Sequence, residues 1–502
     1  MPASLGLLSL SCTVGPNYRA PDEAMPAAWG QAATPSATRP SVATTRPVVI
    51  TRWWATFNDP VLDALVVRAA NANLDLRQAR ARVIEARASR AAAGTALFPS
   101  LDVNPSYQHT RVSQNGVAGF GGGGGGGGGV GVNPQPGAAG SGAIPGGAFP
   151  SEFDLYQAGF DASWEIDVFG GTRRAIEAAD ADLAASVEQR RDVLVTVLAE
   201  VARNYVELRG LQRRLDIARA NLAAQRETLD ITRDRAKNGV TTQLDVTRAV
   251  ALVETTAATL PTLEAAVRQS IDRLALLTDR AAADDDDFAA GLLRPAATPT
   301  VPAEVPVGLP SDLLRRRPDV RAAERELAAA TARVGVVTAD LFPRFSLTGA
   351  AGLQSLDAGN LLDWDSRFYS LGPSVRWNLF DAGRVRANVA IQDARVDRAL
   401  AAYEKTVLTA VQETHTALVN YANEQTRRRS LREAADANRT SLDLARQQYR
   451  QGLVDFLAVL DAQRNLLASE DALAQSDQAV ASDLVAIYKA LGGGWEAETP
   501  AR

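Results

Sequence analysis

Few residues in the chain could take part in covalent or metal-dependent chemistry. The chain has one cysteine, Cys12, and two histidines, His109 and His415, which lie far apart in the sequence. A zinc site needs clustered Cys and His ligands, and a serine-hydrolase triad needs a His beside its partners. Neither arrangement is supported, and the other residues do not assemble into one site with an acid, a base and a nucleophile. The sequence therefore favours a function without catalysis, bound metal or cofactor.

Cys12 suggests attachment of a lipid. It follows a short apolar run at residues 5–10, and an apolar segment that ends in small residues is typical of a secretory signal. A lone cysteine directly after such a segment predicts lipoprotein processing, in which residues 1–11 are removed and Cys12 becomes the acylated N-terminus. The alternative is a buried or idle thiol. Residues 13–52 are rich in Pro, Ala and Thr, which predicts an extended, loosely ordered segment.

The composition excludes some classes of protein. A net charge of −5 gives no reason to expect a nucleic-acid partner. The chain has 46% hydrophobic residues but only 6% aromatic residues, which favours long helices in close contact. It contains no stretch of about 18 apolar residues, so no transmembrane helix is predicted. A membrane role would have to come from strands, whose alternation keeps the overall hydropathy low.

The two halves of the chain resemble each other. The segment ALFPSLDV (96–103) recurs as DLFPRFSL (340–347), and Trp164 recurs as Trp377, 213 residues later. The extra length of the first half falls in a loop that holds nine consecutive glycines, residues 121–129. This tract lacks the adjacent strand, helix and lysine that a phosphate-binding loop needs. It therefore predicts a flexible, exposed loop tip.

Both halves contain strand-like alternation. Within residues 155–169, apolar side chains alternate with polar ones such as Asp161 and Glu165, which is the period of two of a strand. Strands of about 10 residues can cross a bilayer when tilted, and aromatic residues near one end resemble an interfacial girdle. We therefore predict a membrane sheet with one water-facing side, although a soluble sandwich would alternate in the same way. The predicted lipid-facing residues are Phe160, Trp164, Ile166 and Trp377.

Four strands per chain cannot close a pore. Open strand edges find no water to bond within lipid, so the chain must either oligomerise or lie outside the membrane. Three copies would give twelve strands, which is enough for a cylinder with a channel inside.

Two very long helices are predicted. Residues 172–238 contain no proline and one glycine, and their length corresponds to about 100 Å of helix. Apolar residues spaced by seven within this stretch predict coiled-coil packing. Residues 384–451 form the matching helix of the second half. The glycines predicted to allow the change of backbone conformation between strand and helix are Gly170, Gly171 and Gly383.

Several segments resemble the TolC-type outer membrane efflux proteins, also called outer membrane factors, in their lipoprotein branch. These segments are CTVGPNYRAPD (12–22), WWATFNDPVLDALV (53–66), both LFP segments, LLRRRPDVRAAERELAAATARVGV (313–336), WNLFDAGR (377–384) and YRQGLVDFLAVLDAQRNLL (449–467). The resemblance implies a mostly α fold with membrane β. A homotrimeric twelve-stranded β-barrel, with four strands per chain, would be continued by a periplasmic α-barrel of twelve helices, with an equatorial mixed domain.

The resemblance also implies the partners and the activity. Such a channel in the outer membrane exports drugs or other small molecules and catalyses no reaction. It receives them from an inner-membrane pump, more often of the resistance-nodulation-division type, through a periplasmic adaptor protein. The implied segments are a signal peptide (1–11), a lipidated N-terminal segment (12–59), a first repeat (60–279), an equatorial linker (280–312), a second repeat (313–492) and a C-terminal tail (493–502). The predicted strands are about 99–112, 155–169, 344–354 and 369–380, and the shorter helices are about 60–97, 241–279, 319–341 and 453–491.

In this family, residues around the turns between helices hold the periplasmic tip nearly shut. Carried over, the tip comprises AKNGVTTQLDVTR (236–248) and YRQGLVDFLAVLD (449–461). A carboxylate ring repeated by threefold symmetry would select cations. Arginines could clamp neighbouring turns by ion pairs whose release opens the tip; the alternative is a set of solvated turn residues. The candidate gate residues are Asp245, Arg248, Tyr449, Arg450, Asp455 and Asp461.

Three classes of function can be separated by experiment. An export duct predicts a trimer and passive conduction, whereas a periplasmic coiled-coil scaffold without a pore predicts extraction in water without detergent. An enzyme would need a reactive site that these residues do not supply. Replacing Trp164 by Asp distinguishes the first two classes, because a charge on a lipid-facing position costs about 2 kcal/mol or more.

Overall fold

The computed structural model covers most of the chain between residues 13 and 498. The described residues are 13–22, 42–44, 51–111, 152–280, 286–294, 296, 299, 301–302, 304–308, 310–312 and 316–498. Cys12 and the glycine tract at 121–129 lie outside them, so the lipidation site and the loop tip stay predictions.

Helices make up most of the described chain. In chain order they are α1 (Pro60–Ala72), α2 (Leu74–Thr95), α3 (Gly171–Lys237), α4 (Gln243–Leu277), α5 (Asp286–Leu293), α6 (Pro318–Ala339), α7 (Arg384–Gln451) and α8 (Phe456–Ala490). The long helices α3 and α7 contain 67 and 68 residues, and each is followed by a helix of 35 residues. Helices α2 and α6 contain 22 residues each. The sequence repeat is therefore also a structural repeat.

The strands of the described residues form two sheets. In chain order they are β1 (Val42–Thr44), β2 (Ser100–Val103), β3 (Ser106–Arg111), β4 (Glu152–Ile166), β5 (Glu304–Pro306), β6 (Arg344–Ser355) and β7 (Arg367–Arg376). β1 and β5 pair in parallel. In the larger, antiparallel sheet, β4 lies between β6 on one side and β2 and β3 on the other, and β7 pairs with β6.

Two predicted elements are interrupted. The helix predicted at 60–97 is divided at Asn73, whose side-chain Oδ1 accepts hydrogen bonds from two backbone N–H groups at the start of α2 (2.9 and 3.2 Å). Such a cap favours the start of a new helix over continuation of the first. The strand predicted at 99–112 is divided into β2 and β3 at Asn104 and Pro105, since proline has no N–H to donate to the ladder.

The compact units of the chain do not coincide with the two repeats. One unit consists of Met1–Arg19, Arg87–Ala181 and Ala328–Arg398, and the other of Ala20–Ala86, Asp182–Leu327 and Ala399–Arg502. Strand β4 of the first half pairs with β6 of the second half from Tyr156 to Ile166. One sheet therefore needs strands from both halves, and the division of the chain into a first and a second repeat stays a prediction.

The WWATF segment lies in the core of the second of these units. Trp53 and Trp54 are buried, and the ring of Trp53 stacks on Tyr488 at a centroid distance of 5.2 Å. Asp59, which follows directly, accepts two backbone N–H groups at the start of α1. Its other carboxylate oxygen accepts the O–H of Tyr205 at 2.6 Å. The segment thus joins α1, α3 and α8.

The sequence analysis predicts no apolar stretch long enough to cross a membrane, but helix α4 is long and apolar enough to do so by length and composition. An 18-residue window within it has a mean hydropathy of 1.2. Core helices have the same composition, and α4 takes part in two apolar clusters. Val246 and Leu252 belong to one cluster, and Ile271 and Leu274 belong to the other. Its apolar residues therefore serve packing near both ends of the helix.

A polar network surrounds Arg317 of the RRRPDV segment. Its guanidinium donates to the carboxylates of Asp319 (2.6 Å) and Glu413 (2.8 Å) and to the backbone oxygen of Ala490 (3.0 Å). Asp192 lines the same cavity of about 200 Å³. Burial, together with the charge of Asp319, raises the pKa of Asp192 to about 6.

This raised pKa makes stability depend on pH. Folded protein keeps the Asp192 proton up to about pH 6, whereas the unfolded chain loses it near pH 4. Stability is therefore highest below pH 4 for this group and falls as pH rises through 6. We expect Asp192→Asn to raise the free energy of unfolding at pH 7.5 by on the order of 1 kcal/mol. Thermal melting of the detergent-solubilised protein measures it as a higher Tm at pH 7.5 and a smaller difference at pH 4.5. The exposed Asp443→Asn is the control, and an equal effect of both would contradict the prediction.

Candidate functional site

The register of the larger sheet separates its side chains into an apolar and a polar face. In an antiparallel sheet, residues paired across strands share a face. The pairs therefore extend one face across all the strands. The apolar face contains Leu101, Val103, Phe160, Ala162, Trp164, Ile166, Phe345, Leu347, Leu371 and Val375. The polar face contains Ser100, Asp102, Asp161, Ser163, Glu165, Ser346, Thr348, Ser370 and Ser374.

The predicted lipid-facing residues lie on or beside the apolar face. Phe160, Trp164 and Ile166 belong to it, and Trp377 follows the last residue of β7. The face is uncovered in the single chain, since Phe160 is 53% exposed. A polar solvent would make such a face unfavourable, so the sheet needs an apolar environment on this side.

Aromatic residues bound the apolar face at both ends. At one end, the indole N–H of Trp164 donates to the backbone oxygen of Leu97 (2.9 Å), and that of Trp377 donates to Leu341 (3.1 Å). At the other end, the rings of Tyr107 and Tyr156 lie 5.0 Å apart. The eight residue-to-residue steps from Tyr156 to Trp164 correspond to about 27 Å of strand, or about 20 Å of height at a tilt of about 40°. This spacing fits the apolar layer of an outer membrane.

The glycines at the strand–helix junctions have different roles. Gly170 and Gly383 have φ of +80° and +85°, a left-handed conformation that favours glycine. Gly171 is the first residue of α3, and a Cβ on it would lie 3.0 Å from the Cβ of Ala339. Gly171 therefore permits close packing, whereas the other two permit the turn.

Carboxylates complete both junctions. Asp167 accepts the backbone N–H groups of Thr172 and Arg173 (3.2 and 2.9 Å) at the start of α3. Asp381 accepts those of Val385 and Gly383 (2.9 and 3.0 Å) beside α7. The bonds from Val385 and Gly383 hold the pKa of Asp381 below its usual value.

The two helical turns at the tip have the same backbone. Gly239 and Gly452 have φ of +66° and +76°. The residue after each glycine donates to a carbonyl five residues earlier, from Val240 to Arg235 (2.9 Å) and from Leu453 to the corresponding residue of α7 (3.0 Å). This is the Schellman pattern that ends a helix. The 213-residue offset of the sequence thus holds at the tip.

Asp245 and Asp455 act within their own turns. The N–H of Asp245 donates to Thr242 Oγ1, and its carboxylate accepts from Thr242 in return, which is a capping box. Partial burial disfavours ionisation, but hydrogen bonds from Thr241 and Thr242 hold the pKa of Asp245 below its usual value. Asp455 caps α8 by accepting the N–H of Ala458 (3.2 Å). Both carboxylates therefore stabilise helix starts, a role that the gate prediction omits.

Tyr449 is a core residue of the single chain, with 7% of its surface exposed. The guanidinium of Arg235 lies 4.3 Å above its ring and donates to its backbone oxygen (3.1 Å). Phe456 packs against the other part of the ring, at a centroid distance of 5.7 Å. Contacts from both halves thus enclose Tyr449 in the single chain, and its part in the gate stays a prediction. Sequence reasoning missed Arg235, which only its closeness to Gly239 could have indicated.

The remaining gate candidates differ in their contacts. Arg248 lies 3.9 Å from Asp245, one helical turn earlier. Arg450 and Asp461 are exposed, and neither has a hydrogen bond or an ion pair within the described part of the chain. These two residues are therefore the candidates whose charges are available to another chain or to a pore.

Exposed aliphatic pairs flank both turns. Val240 and Leu244 are 62% and 56% exposed, and their counterparts 213 residues later, Leu453 and Leu457, are 71% and 40% exposed. Each pair lies at positions i and i+4 around a helix start. The repeat thus presents the same apolar surface twice at the tip.

The faces of the sheet can be tested with a charge. We expect Phe160→Arg to reduce insertion, because arginine near the middle of a lipid-facing strand costs about 2–4 kcal/mol. Ser163→Arg, on the polar face of the same strand, is the matched control and should insert normally. The amount of protein in isolated outer membranes measures both. Equal insertion of the two variants would contradict the assignment of the faces.

Comparisons with known proteins agree on one family. The family model described as "Outer membrane efflux protein" matches residues 65–279 and 309–493. The chain is 31% identical over 495 residues to Nodulation protein T of Rhizobium leguminosarum bv. trifolii, which covers 97% of this chain and 96% of that protein. It is also 31% identical over 498 residues to the Toluene efflux pump outer membrane protein TtgF of Pseudomonas putida, with 98% of this chain and 96% of that protein covered.

Solved structures lead to the same fold. The outer-membrane channel OprN is 37% identical and superposes with a TM-score of 0.83 over 97% of this chain and 100% of that one. The open state of the MtrE outer membrane channel of Neisseria gonorrhoeae is 26% identical, with a TM-score of 0.79 over 98% of this chain and 100% of that one. The chain therefore belongs to the outer membrane efflux protein family, and it is an outer-membrane channel of an efflux system.

Proposed function

We propose that three copies of the chain form a passive export duct that catalyses no reaction. The observation that carries this is the incomplete sheet. Within the described residues, β2 and β3 pair only with β4, and β7 pairs only with β6. Unpaired strand edges are not tolerated in lipid, so the apolar-faced sheet must be closed by other copies. Three copies give a barrel large enough for an aqueous channel, and the polar face then lines the channel.

We assign lipid attachment to Cys12 and export of drugs, solvents or other small molecules to the duct. Relatives are named for different cargoes: TtgF for toluene and OpmQ of Pseudomonas putida for pyoverdine. One fold that conducts such different compounds suggests that the inner-membrane pump selects the cargo. We expect a pump of the resistance-nodulation-division type.

A periplasmic adaptor is the proposed partner at the tip. Val240, Leu244, Leu453 and Leu457 form exposed aliphatic pairs at the two turns, and apolar surface of this kind favours association. An adaptor that carries helical hairpins with apolar ends would cover them. The repetition of the pairs in both halves, and in three copies, provides equivalent positions around the tip.

The gate is proposed to depend on a tie between the two helical hairpins. Arg235 from α3 holds Tyr449 from α7 through its ring and its backbone oxygen. Within the described part of the chain, the Tyr449 hydroxyl and Arg235 Nε are buried without a hydrogen-bond partner. Each such group costs free energy, which reduces the stability of this arrangement relative to an alternative one. Arg450 and Asp461 are the proposed charged residues of the constriction, where Asp461 would favour cations.

The function is tested by deletion and by imaging. A strain without the gene should become more sensitive to compounds that its pump exports, and the wild-type gene should restore resistance. The purified protein should be a trimer of about 160 kDa from chains of 53.2 kDa and should show a hollow stalk under negative stain. A water-soluble monomer or dimer without a detergent belt would contradict the duct.

Removing the tie should open the tip. We expect Arg235→Ala to raise single-channel conductance in planar bilayers, because it removes a cation–π contact and a hydrogen bond that together contribute about 1–3 kcal/mol. Arg233→Ala is the control, since Arg233 is exposed and bonds only to Asp230 one turn earlier (3.4 Å) within the described residues. A similar rise in both variants would show that charge at the tip, and not the tie, sets conductance.

A further inference from the structure

The segment after Cys12 lies against the junction of β4 and α3. The backbone N–H of Val14 donates to the carbonyl of Phe169 at 3.1 Å. The ring of Phe169 stacks on Phe342 of the second LFP segment, at a centroid distance of 4.7 Å. The N-terminal segment thus binds a platform built from both halves of the chain.

A buried arginine contacts this segment at several atoms. Arg174 is 3% exposed, and it donates to the backbone oxygens of Val14 (3.1 Å) and Gly15 (3.2 Å) and to Asn17 Oδ1 (2.8 Å). Its remaining described partner is Glu177, at 2.8 Å. A guanidinium presents several donors in a fixed plane, which a lysine cannot reproduce. Three of the four acceptors belong to the N-terminal segment, so most of the hydrogen bonds of Arg174 hold this segment against the junction.

Glycines make the fit possible. A Cβ on Gly15 would lie 2.4 Å from the Cα of Gly335 in α6. A Cβ on Gly170 would lie 2.4 Å from Thr13 Cγ2. A Cβ on Gly335 would lie 2.8 Å from Arg174 Cγ. The segment and its seat are therefore complementary in shape as well as in hydrogen bonding.

The second repeat has the same junction without this seat. Its first helical turn matches, since Arg174 N donates to Gly170 O (2.8 Å) and Ala387 N donates to Gly383 O (2.9 Å). The position of Arg174 is thus occupied by Ala387. A Cβ on Gly383 would meet nothing within 4 Å. The first junction therefore differs from the second where the N-terminal segment binds.

We propose that residues 13–17 form a strap that Arg174 binds to the first junction. This binding site, the seat of the strap, and not the lipid, holds the N-terminus of the mature chain in place. The part that concerns the lipid rests on the proposed acylation of Cys12. Since Cys12 is bonded to Thr13, the seat sets the entry point of the acyl chains close to the end of β4. Trp164 lies five residues before Phe169, so this entry point is near the aromatic boundary of the apolar face. Arg174 is a positioning residue for the anchor.

Hydrogen exchange of the strap tests the proposal in the detergent-solubilised full-length mature protein. We expect the amide of Val14 to exchange about tenfold faster or more in Arg174→Ala, because the seat is lost. Arg174→Lys should be intermediate, and the exposed Arg386→Ala of the second junction should match wild type. Cys12→Ser, secreted behind a signal that is cleaved without acylation so that residues 1–11 are also absent, should leave exchange of Val14 unchanged. Loosening in Cys12→Ser but not in Arg174→Ala would overturn the proposal. Conduction does not enter this measurement, so failure of the duct and failure of the strap are distinguishable.

A glycine pair provides an independent test if Arg174→Ala does not fold. Gly170→Ala and Gly383→Ala impose similar backbone strain, since both residues have positive φ. Only Gly170→Ala displaces Thr13, so only this variant should speed exchange in residues 13–17. Asn17→Ala, which removes one contact from the strap side, should do the same to a smaller extent. Equal exchange in Gly170→Ala and Gly383→Ala, with no effect of Asn17→Ala, would contradict the seat.

Discussion

Hydrogen bonding at the edges of the larger sheet is the constraint on which the rest of the structure depends. Within the described chain, the outer strands β2, β3 and β7 each pair on one side only. Apolar side chains on one face favour lipid, where no water can satisfy the free edges. A single copy is therefore incomplete. The helices that continue from these strands belong to the same copies, so they share the symmetry that closes the sheet.

The internal repeat supplies the backbone geometry twice but does not prescribe its side chains. Gly170 and Gly383 adopt the same left-handed conformation, yet the carboxylates that accept the nearby N–H groups, Asp167 and Asp381, do not occupy matching positions. At the tip, Thr242 caps one helix and Asp455 the other. Free N–H groups at a helix start need an acceptor, and several residue types provide one. The local requirement is thus preserved while the residue that meets it varies.

The long helices and strands could be predicted because their sequence patterns extend over many residues, so no single residue decides them. Helix α3 differs by one residue at each end from the 172–238 expected from a stretch with no proline and one glycine. The faces of the sheet followed from alternation in the same way. The breaks at Asn73 and Pro105 were missed, since each depends on one residue whose effect a pattern averages out. The burial of Tyr449 was missed for a different reason: it needs Arg235 from the other half of the chain, and no local pattern contains that contact.

The differences between the halves are therefore more informative than their similarity. A symmetric backbone explains why two hairpins and two junctions exist, but it cannot distinguish one from the other. Arg235 distinguishes the tip, because it reaches from the first half to Tyr449 in the second. Arg174 distinguishes the first junction, because its counterpart Ala387 has no side-chain donor. In both cases one arginine makes a contact that the corresponding position of the other half cannot make. Positions where a repeat loses its symmetry are thus where a duct built from duplicated parts can acquire a gate and a fixed anchor.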